Sequence, residues 1–298
     1  MLYEPAVRKR DAAPLLVMLH GCRQDARDFA IGTRMNEAAE EAGVVVLYPE
    51  QSVLANAMRC WNWYTSKGEP GKVSEAAQIA DMTRQVVRER AIDPTRIYVA
   101  GMSAGGALAA VLARDYPDLY AAVGIHSGLP AGLAHDLFSA MRLMFRGPKA
   151  GEGQAGPQAD SVPSIPSIVF HGDEDRTVHL SNAQAIHSAA GTDPAGRRPG
   201  APATTRGEAG QRDVTRQVDR GPGGVTQREL WIVHGAGHAW AGGNDEGSYT
   251  DADGPDASRE MLRFFLQHRL AVPAAVQIES TAGADEDGDQ ARLDRHLG

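Results

Sequence analysis

The chain is 298 residues long, 42% hydrophobic and 23% charged, with a formal net charge of −8. That length suits one large α/β domain with a sizeable core, and the acidic balance argues against nucleic-acid binding, which needs clustered positive charge. No apolar run is long enough to cross a bilayer, and two cysteines, Cys22 and Cys60, exclude a disulfide framework while leaving room for one bridge.

The opening MLYEPAVRKRDAAP lacks the apolar core of a signal peptide. The first central strand, Leu15 to Leu19, is a continuous apolar run of the kind covered on both faces. Because it begins only near residue 15, the chain leaves room for a longer gene product whose leader is missing. His20-Gly21-Cys22 ends the strand. Residues 28–42 carry apolar side chains at helical spacing, with Gly43 as C-cap, and Val44 to Tyr48 forms a second buried strand. An irregular segment, Glu50 to Gly71, is centred on Cys60-Trp61-Asn62-Trp63-Tyr64, and Ser74 to Arg90 returns to a helix. Asp93-Pro94 breaks that helix before a strand at Ile97.

Ile97 to Ala100 then leads into Gly101-Met102-Ser103-Ala104-Gly105 and an alanine-rich helix from Gly106 to Arg114. This is a G-x-S-x-G turn between strand and helix, the setting in which the pattern presents a nucleophilic serine. Glycines at 101 and 105 avoid the clashes that bulkier residues would make in so tight a turn. The helix that follows aims its N-terminal N–H groups at any negative charge forming there.

Further on, Ala121 to Ile125 is a strand followed by His126-Ser127-Gly128. Residues 130–163 read as an excursion over the sheet with an amphipathic stretch at Leu137–Phe145. Ser167 to Phe170 is a strand ending in His171-Gly172-Asp173-Glu174-Asp175, and Leu180 to Ala190 a helix. Gly191 to Gln211 reads as a flexible, low-complexity surface loop. Val214–Asp219 and Val225–Val233 alternate with period two around Gly221-Pro222-Gly223-Gly224, which predicts a β-hairpin. His234 and His238 follow, and Pro255 is placed in the first turn of a closing helix that runs to about Leu270. The domain thus spans residues 1–270, and 271–298 reads as a disordered acidic tail. Strands alternating with helices predict a mostly parallel sheet with helices on both faces.

A serine hydroxyl needs a base, and the base an orienting acid. In this architecture the order is Ser, then Asp or Glu, then His. Asp173, Glu174 and Asp175 follow one strand, and His234 and His238 follow another. Strand C-termini of a parallel sheet share one edge, so these groups can converge with Ser103. Residue chemistry alone leaves Asp173 open against Asp175, and His234 against His238.

Several blocks, LLVMLHGCRQDARDF, CWNWY, YVAGMSAGGALAAVLA, HSGLP, VFHGDEDRTV, VHGAGHAWAGG and SYTDADGPDAS, together resemble the polyhydroxybutyrate-depolymerase-type esterases. These are an α/β-hydrolase group close to feruloyl and acetylxylan esterases. The resemblance runs from about residue 14 to 270. It implies Ser103 as nucleophile, Asp175 as acid, through the H-G-x-x-D-x-x-V pattern of His171 to Val178, and His238 as base. It also implies an extracellular protein, whereas the chain shows no export signal; a cytoplasmic one is the alternative. Too little chain precedes Leu15 for the usual antiparallel edge strands, so Leu2 to Pro5 is expected to be a remnant of one.

The fold requires two oxyanion N–H donors. They are expected from Ala104, after the nucleophile, and from Cys22, after the first strand. His20 reads as a structural histidine that hydrogen-bonds the turn. A Cys22–Cys60 bridge would pin this turn to the tryptophan segment in an oxidising compartment. Trp61, Trp63 and Trp240 are candidates for an apolar substrate platform, with core packing as the alternative. No cofactor is implied. The stretch from Tyr249 to Glu260 nearly spells a calcium loop, but tyrosine holds its first ligand position, so no metal site is assigned.

The expected activity is hydrolysis of a carboxylic ester through an acyl-enzyme, with a small-molecule or oligomeric ester as partner and neither nucleic acid nor membrane. Candidate substrates are hydroxyalkanoate oligomers and other short-chain or aromatic esters. An acyltransferase of the same fold and a non-catalytic binding protein are the rival readings.

Overall fold

The computed structural model describes residues 1–6, 12–65, 73–149, 165–188 and 202–271. Its centre is a nine-stranded sheet in the order β1 (Leu2–Tyr3), β3 (Val45–Leu47), β2 (Ala13–Leu19), β4 (Ile92–Met102), β5 (Ala122–His126), β6 (Ser167–Gly172), β9 (Thr226–Val233), β8 (Arg212–Arg220) and β7 (Ala203–Ala209). The six strands from β3 to β9 run parallel, and β1, β8 and β7 add antiparallel edges. Leu2–Tyr3 is therefore a two-residue antiparallel edge strand. A separate parallel pair joins β10 (Trp240–Ala241) to β11 (Thr250–Asp251).

Successive residues of a strand point to opposite faces, and β2 shows why its sequence is apolar throughout. Leu15, Val17 and Leu19 pack on the face covered by α3 (Glu75–Glu89) and α4 (Ala104–Asp115). Leu16 and Met18 pack on the other, under α1 (Ala26–Thr33), α2 (Met35–Ala42) and α7 (Ala257–Phe265). All seven residues of β2 are buried. Helix α4 is alanine-rich for a related reason: its residues 104–113 are all buried, and small side chains let it lie close against the sheet. α5 (Leu137–Arg146) and α6 (Ser181–Ser188) complete the domain.

Four elements differ from the sequence reading. The helix expected over 28–42 is two helices, because Arg34 takes a left-handed conformation (φ 54°) that ends α1 and begins α2. Asp93-Pro94 does not precede the next strand but lies inside β4. There the pairing with β2 shifts register between Ala13 and Leu15, an irregularity that accommodates a residue without an N–H. Residues 203–209, expected within a flexible loop, form edge strand β7, whose seven residues pair with β8. Its side chains are mostly exposed, so composition resembled a loop while main-chain pairing made a strand. Pro255 stands just before the helix cap Asp256 rather than in the first turn, and α7 ends at Phe265. The hairpin around Gly221–Gly224 forms as expected. The first part of the expected loop (191–201), the last two residues of the expected helix before it (189–190), part of the excursion (150–163) and the tail from 272 lie outside the described residues.

Candidate active site

Strands β4, β6 and β9 point their C-terminal ends to one edge of the sheet, and each is followed by one of the singled-out residues. Ser103 follows β4 with φ 55° and ψ −118°, a conformation that costs a non-glycine residue strain. Its N–H donates to the His126 carbonyl at 2.9 Å. The two glycines of the turn are needed by contact. A Cβ on Gly101 would lie 2.5 Å from the Gly105 carbonyl, and one on Gly105 would collide with the Leu19 carbonyl.

The loops after β6 and β9 bring together two acid–histidine pairs, not one. Asp175 Oδ2 accepts from His238 Nδ1 at 2.7 Å, while its Oδ1 accepts the N–H groups of Thr177 and Val178 at 2.8 Å each. Burial pushes the Asp175 carboxyl up, but the hydrogen bond and charge of His238, the Val178 N–H and nearby His171 outweigh it. The carboxyl is held below its ordinary value. With Nδ1 donating to a fixed carboxylate, His238 is in the tautomer that leaves Nε2 able to take a proton.

The second pair joins His234 Nδ1 to Asp173 Oδ2 at 2.6 Å, and Asp173 also accepts the Gly235 N–H. Its His234 Nε2 is already engaged by Thr215 Oγ1 at 2.8 Å. The side chains of the Asp175–His238 pair are 0% and 12% exposed, against 31% and 39% for Asp173 and His234. The buried, half-engaged pair is the one suited to proton transfer; the exposed pair has both ring nitrogens occupied and ties the two loops together. Asp173 and His234, left open by residue chemistry, thus meet each other rather than exchanging partners with Asp175 and His238.

His126 connects this pair to the serine. Its carbonyl receives the Ser103 N–H, its Nε2 accepts the Ala241 N–H at 3.0 Å, and its ring stacks between Phe170 and Trp240. Burial, with His171 and His238 nearby, holds its imidazole down at about 3, so it stays neutral. Ser103 and His238 stand at this same edge, each next to His126, and their side chains are not hydrogen-bonded to each other. Such contacts commonly tighten only when substrate is bound.

The turn after β2 lies beside the serine, since a Cβ on Gly21 would sit 3.7 Å from Ser103 Cβ. Its N–H groups are mostly committed. Gly21 N–H donates to Gln24 Oε1 at 2.9 Å, Arg23 N–H to the Met58 carbonyl at 2.7 Å, and Gln24 N–H to the Gly21 carbonyl. Among the described residues, Cys22 N–H in this turn and Ala104 N–H at the start of α4 have no such acceptor. His20 is structural: Nδ1 donates to the Gly21 carbonyl, Nε2 accepts the Gln51 N–H, and burial lowers its basicity. Cys22 and Cys60 are joined in a disulfide that ties the turn to the segment carrying Trp61.

The tryptophans do not form an exposed platform. Trp240 is 1% exposed, packed against Phe29 and His126 with its N–H on Ser258. Trp61 is buried and donates to the His20 carbonyl at 3.0 Å, and Trp63 is buried against Tyr64. Burial removes the large apolar face of each indole from water, and Trp61 and Trp240 find buried acceptors for their N–H. Gln24 and His126 were not singled out from the sequence; their roles come from contacts between separate loops, which no local pattern encodes. Of the near-calcium stretch, Asp251 is bound by Arg212 and Asp253 by Gln211. No described helix is long and apolar enough to cross a membrane.

Comparison with known proteins identifies the family and the fold. The chain is 33% identical over 180 residues to poly(3-hydroxyalkanoate) depolymerase C of Paucimonas lemoignei, covering 57% of this chain and 42% of that protein. It is 30% identical over 122 residues to feruloyl esterase B of Thermothelomyces thermophilus, covering 41% of each. The chain therefore spans less than half the length of these curated relatives. Among solved structures it superposes on acetyl xylan esterase from Aspergillus awamori with a TM-score of 0.64 and 18% identity, over 89% of this chain and 93% of that one. That likeness establishes the α/β-hydrolase fold. A family model described as esterase PHB depolymerase matches residues 1–192, and the chain belongs to that family.

Proposed function

We propose that this protein is a serine carboxylic ester hydrolase that works through an acyl-enzyme. The observation that carries the reading is the buried Asp175–His238 hydrogen bond on the same sheet edge as the strained Ser103 turn. Ser103 Oγ attacks the ester carbonyl while His238 Nε2 takes its proton. Asp175 holds the imidazole in the accepting tautomer and stabilises the cation that forms. Negative charge gathers on the former carbonyl oxygen, where Cys22 and Ala104 N–H groups meet it. One such donor is worth about 3 kcal/mol in the transition state. His238 then gives its proton to the departing alcohol, and water, activated by the same imidazole, releases the acid.

Hydroxyalkanoate oligomers and other short-chain or aromatic esters are the substrate class supported by family membership. No cofactor takes part in these steps. The test is a panel of p-nitrophenyl esters, methyl ferulate and hydroxybutyrate oligomers, run against Ser103→Ala, with a fluorophosphonate probe and mass spectrometry. Hydrolysis lost in the variant and an adduct on Ser103 support the reading. A wild-type protein that hydrolyses no ester and takes no adduct refutes it.

A further inference from the structure

The turn that carries the oxyanion donor is shaped by a side chain that touches no substrate. Gln24 is 2% exposed and uses both ends of its amide. Oε1 accepts the Gly21 N–H at 2.9 Å. Nε2 donates to Asp28 Oδ2 at 3.0 Å and to the carbonyl and hydroxyl of Ser248 at 3.1 and 3.2 Å. Asp28 in turn accepts the Ser248 N–H at 2.9 Å and its hydroxyl at 2.5 Å. Ser248 lies ten residues beyond His238, in the segment whose β11 pairs with Trp240–Ala241. One amide thus spans from the turn beside the nucleophile to the chain that follows the base.

We infer that Gln24 is a positioning residue that presents the Cys22 N–H to the oxyanion by clamping Gly21 and anchoring the turn to Asp28 and Ser248. The inference rests on the esterase reading and deepens it. An amide is the side chain that can accept from a backbone N–H at one end and donate to a carboxylate and a carbonyl at the other. Engaging Gly21 N–H removes the competing donor next to Cys22, and Arg23 N–H is already bound to Met58. The disulfide fixes where the Cys22 side chain goes. The peptide that carries Cys22 N–H is held through the Gly21 carbonyl by His20 Nδ1 and the Gln24 N–H, and the peptide before it is held through Gly21 N–H by Gln24 Oε1, so Gln24 bears on both sides of the Gly21 hinge. Without the Gln24 side chain that buried N–H loses its partner and the His20–Gly21 peptide is free to turn, which changes φ at Gly21, a residue with no Cβ to resist, and re-aims the next peptide with its Cys22 N–H. An oxyanion donor acts on the transition state far more than on the bound ester, so its loss reads out in kcat.

The test compares wild type, Gln24→Met, Ser248→Ala and Asp28→Asn on one activated short-chain ester, with thermal melting to confirm folding. Inhibition by a trifluoromethyl ketone, which forms an oxyanion on Ser103, is measured alongside. For Gln24→Met, kcat is expected to fall about 10- to 100-fold with KM within about threefold, and inhibitor affinity to fall in parallel. Ser248→Ala and Asp28→Asn keep the Gly21 clamp and loosen its anchor, and are expected to lower kcat about 3- to 10-fold by the same criterion. A folded Gln24→Met with kcat within twofold of wild type, or with weakened KM and unchanged inhibitor affinity, overturns the inference. Should Gln24→Met fail to fold, unchanged kcat and inhibitor affinity in Ser248→Ala and Asp28→Asn overturn it instead. An inactive wild type that takes no inhibitor is a failure of the esterase reading, separable from either result.

Discussion

Removing the Cys22–Cys60 bridge tests whether the oxyanion turn is held from outside as well as within. The bond closes a loop between residues 38 apart in sequence. In the chain-entropy treatment, a loop of that size removes about 13 cal/mol/K from the unfolded ensemble, or about 4 kcal/mol at 25 °C. For a domain of this size that corresponds to a fall in Tm of about 7 °C. Activity is expected to fall as well, because Cys22 N–H stands beside the half-cystine. The turn retains the Arg23–Met58 bond, the Trp61 N–H on His20 and the Gln24 clamp, so the loss in kcat should stay within about 100-fold, the effect of one donor. The assay is calorimetry and steady-state kinetics of Cys22→Ala/Cys60→Ala beside the oxidised protein, with kinetics run well below either Tm. A double variant that melts within 2 °C of wild type refutes the entropic reasoning. One that melts lower but keeps full kcat refutes the link between the bridge and the donor.

Other consequences are equally direct. Asp175→Asn should lower kcat by about 10⁴, since the imidazole loses its orienting acceptor, while Asp173→Asn should stay within about tenfold of wild type; kinetics of the two variants side by side separate the buried pair from the exposed one. Ser103→Gly should be inactive yet more stable than Ser103→Ala by about 1–3 kcal/mol, because glycine relieves the φ 55° strain and alanine keeps it; urea denaturation of both variants measures the gap. Burial holds His126 down at about 3 and His268 at about 4, both below the ordinary histidine value of 6.5. The unfolded chain therefore takes up protons that the folded one refuses as pH falls. Stability is fully present above pH 6.5 and lost progressively toward pH 3 to 4, by about 2 kcal/mol per histidine at pH 5. Urea titrations at pH 7 and pH 5 check the sign, and equal stability at the two would contradict it.

Local order along the chain determined much of this protein by itself. Apolar runs marked the buried strands, the strand–glycine–serine–glycine–helix succession marked the nucleophile turn, and the order of Ser103, then acids, then histidines followed from it. Those features depend on neighbours in sequence, where side-chain size and backbone preference act directly. Tertiary structure alone decided the partners. Asp175 meets His238 across 63 residues and Asp173 meets His234 across 61, because β6 and β9 lie side by side in a fixed register. Trp240 went into the core rather than the rim, Pro94 was absorbed into an irregular strand, and the exposed residues 203–209 became an edge strand because β8 offered free main-chain groups. Gln24 acquired its place only when a distant serine and the turn beside the nucleophile came within reach of one amide. Periodicity reports which face of an element is apolar; which loops meet above the sheet is set by strand order and register, and these are properties of the folded whole.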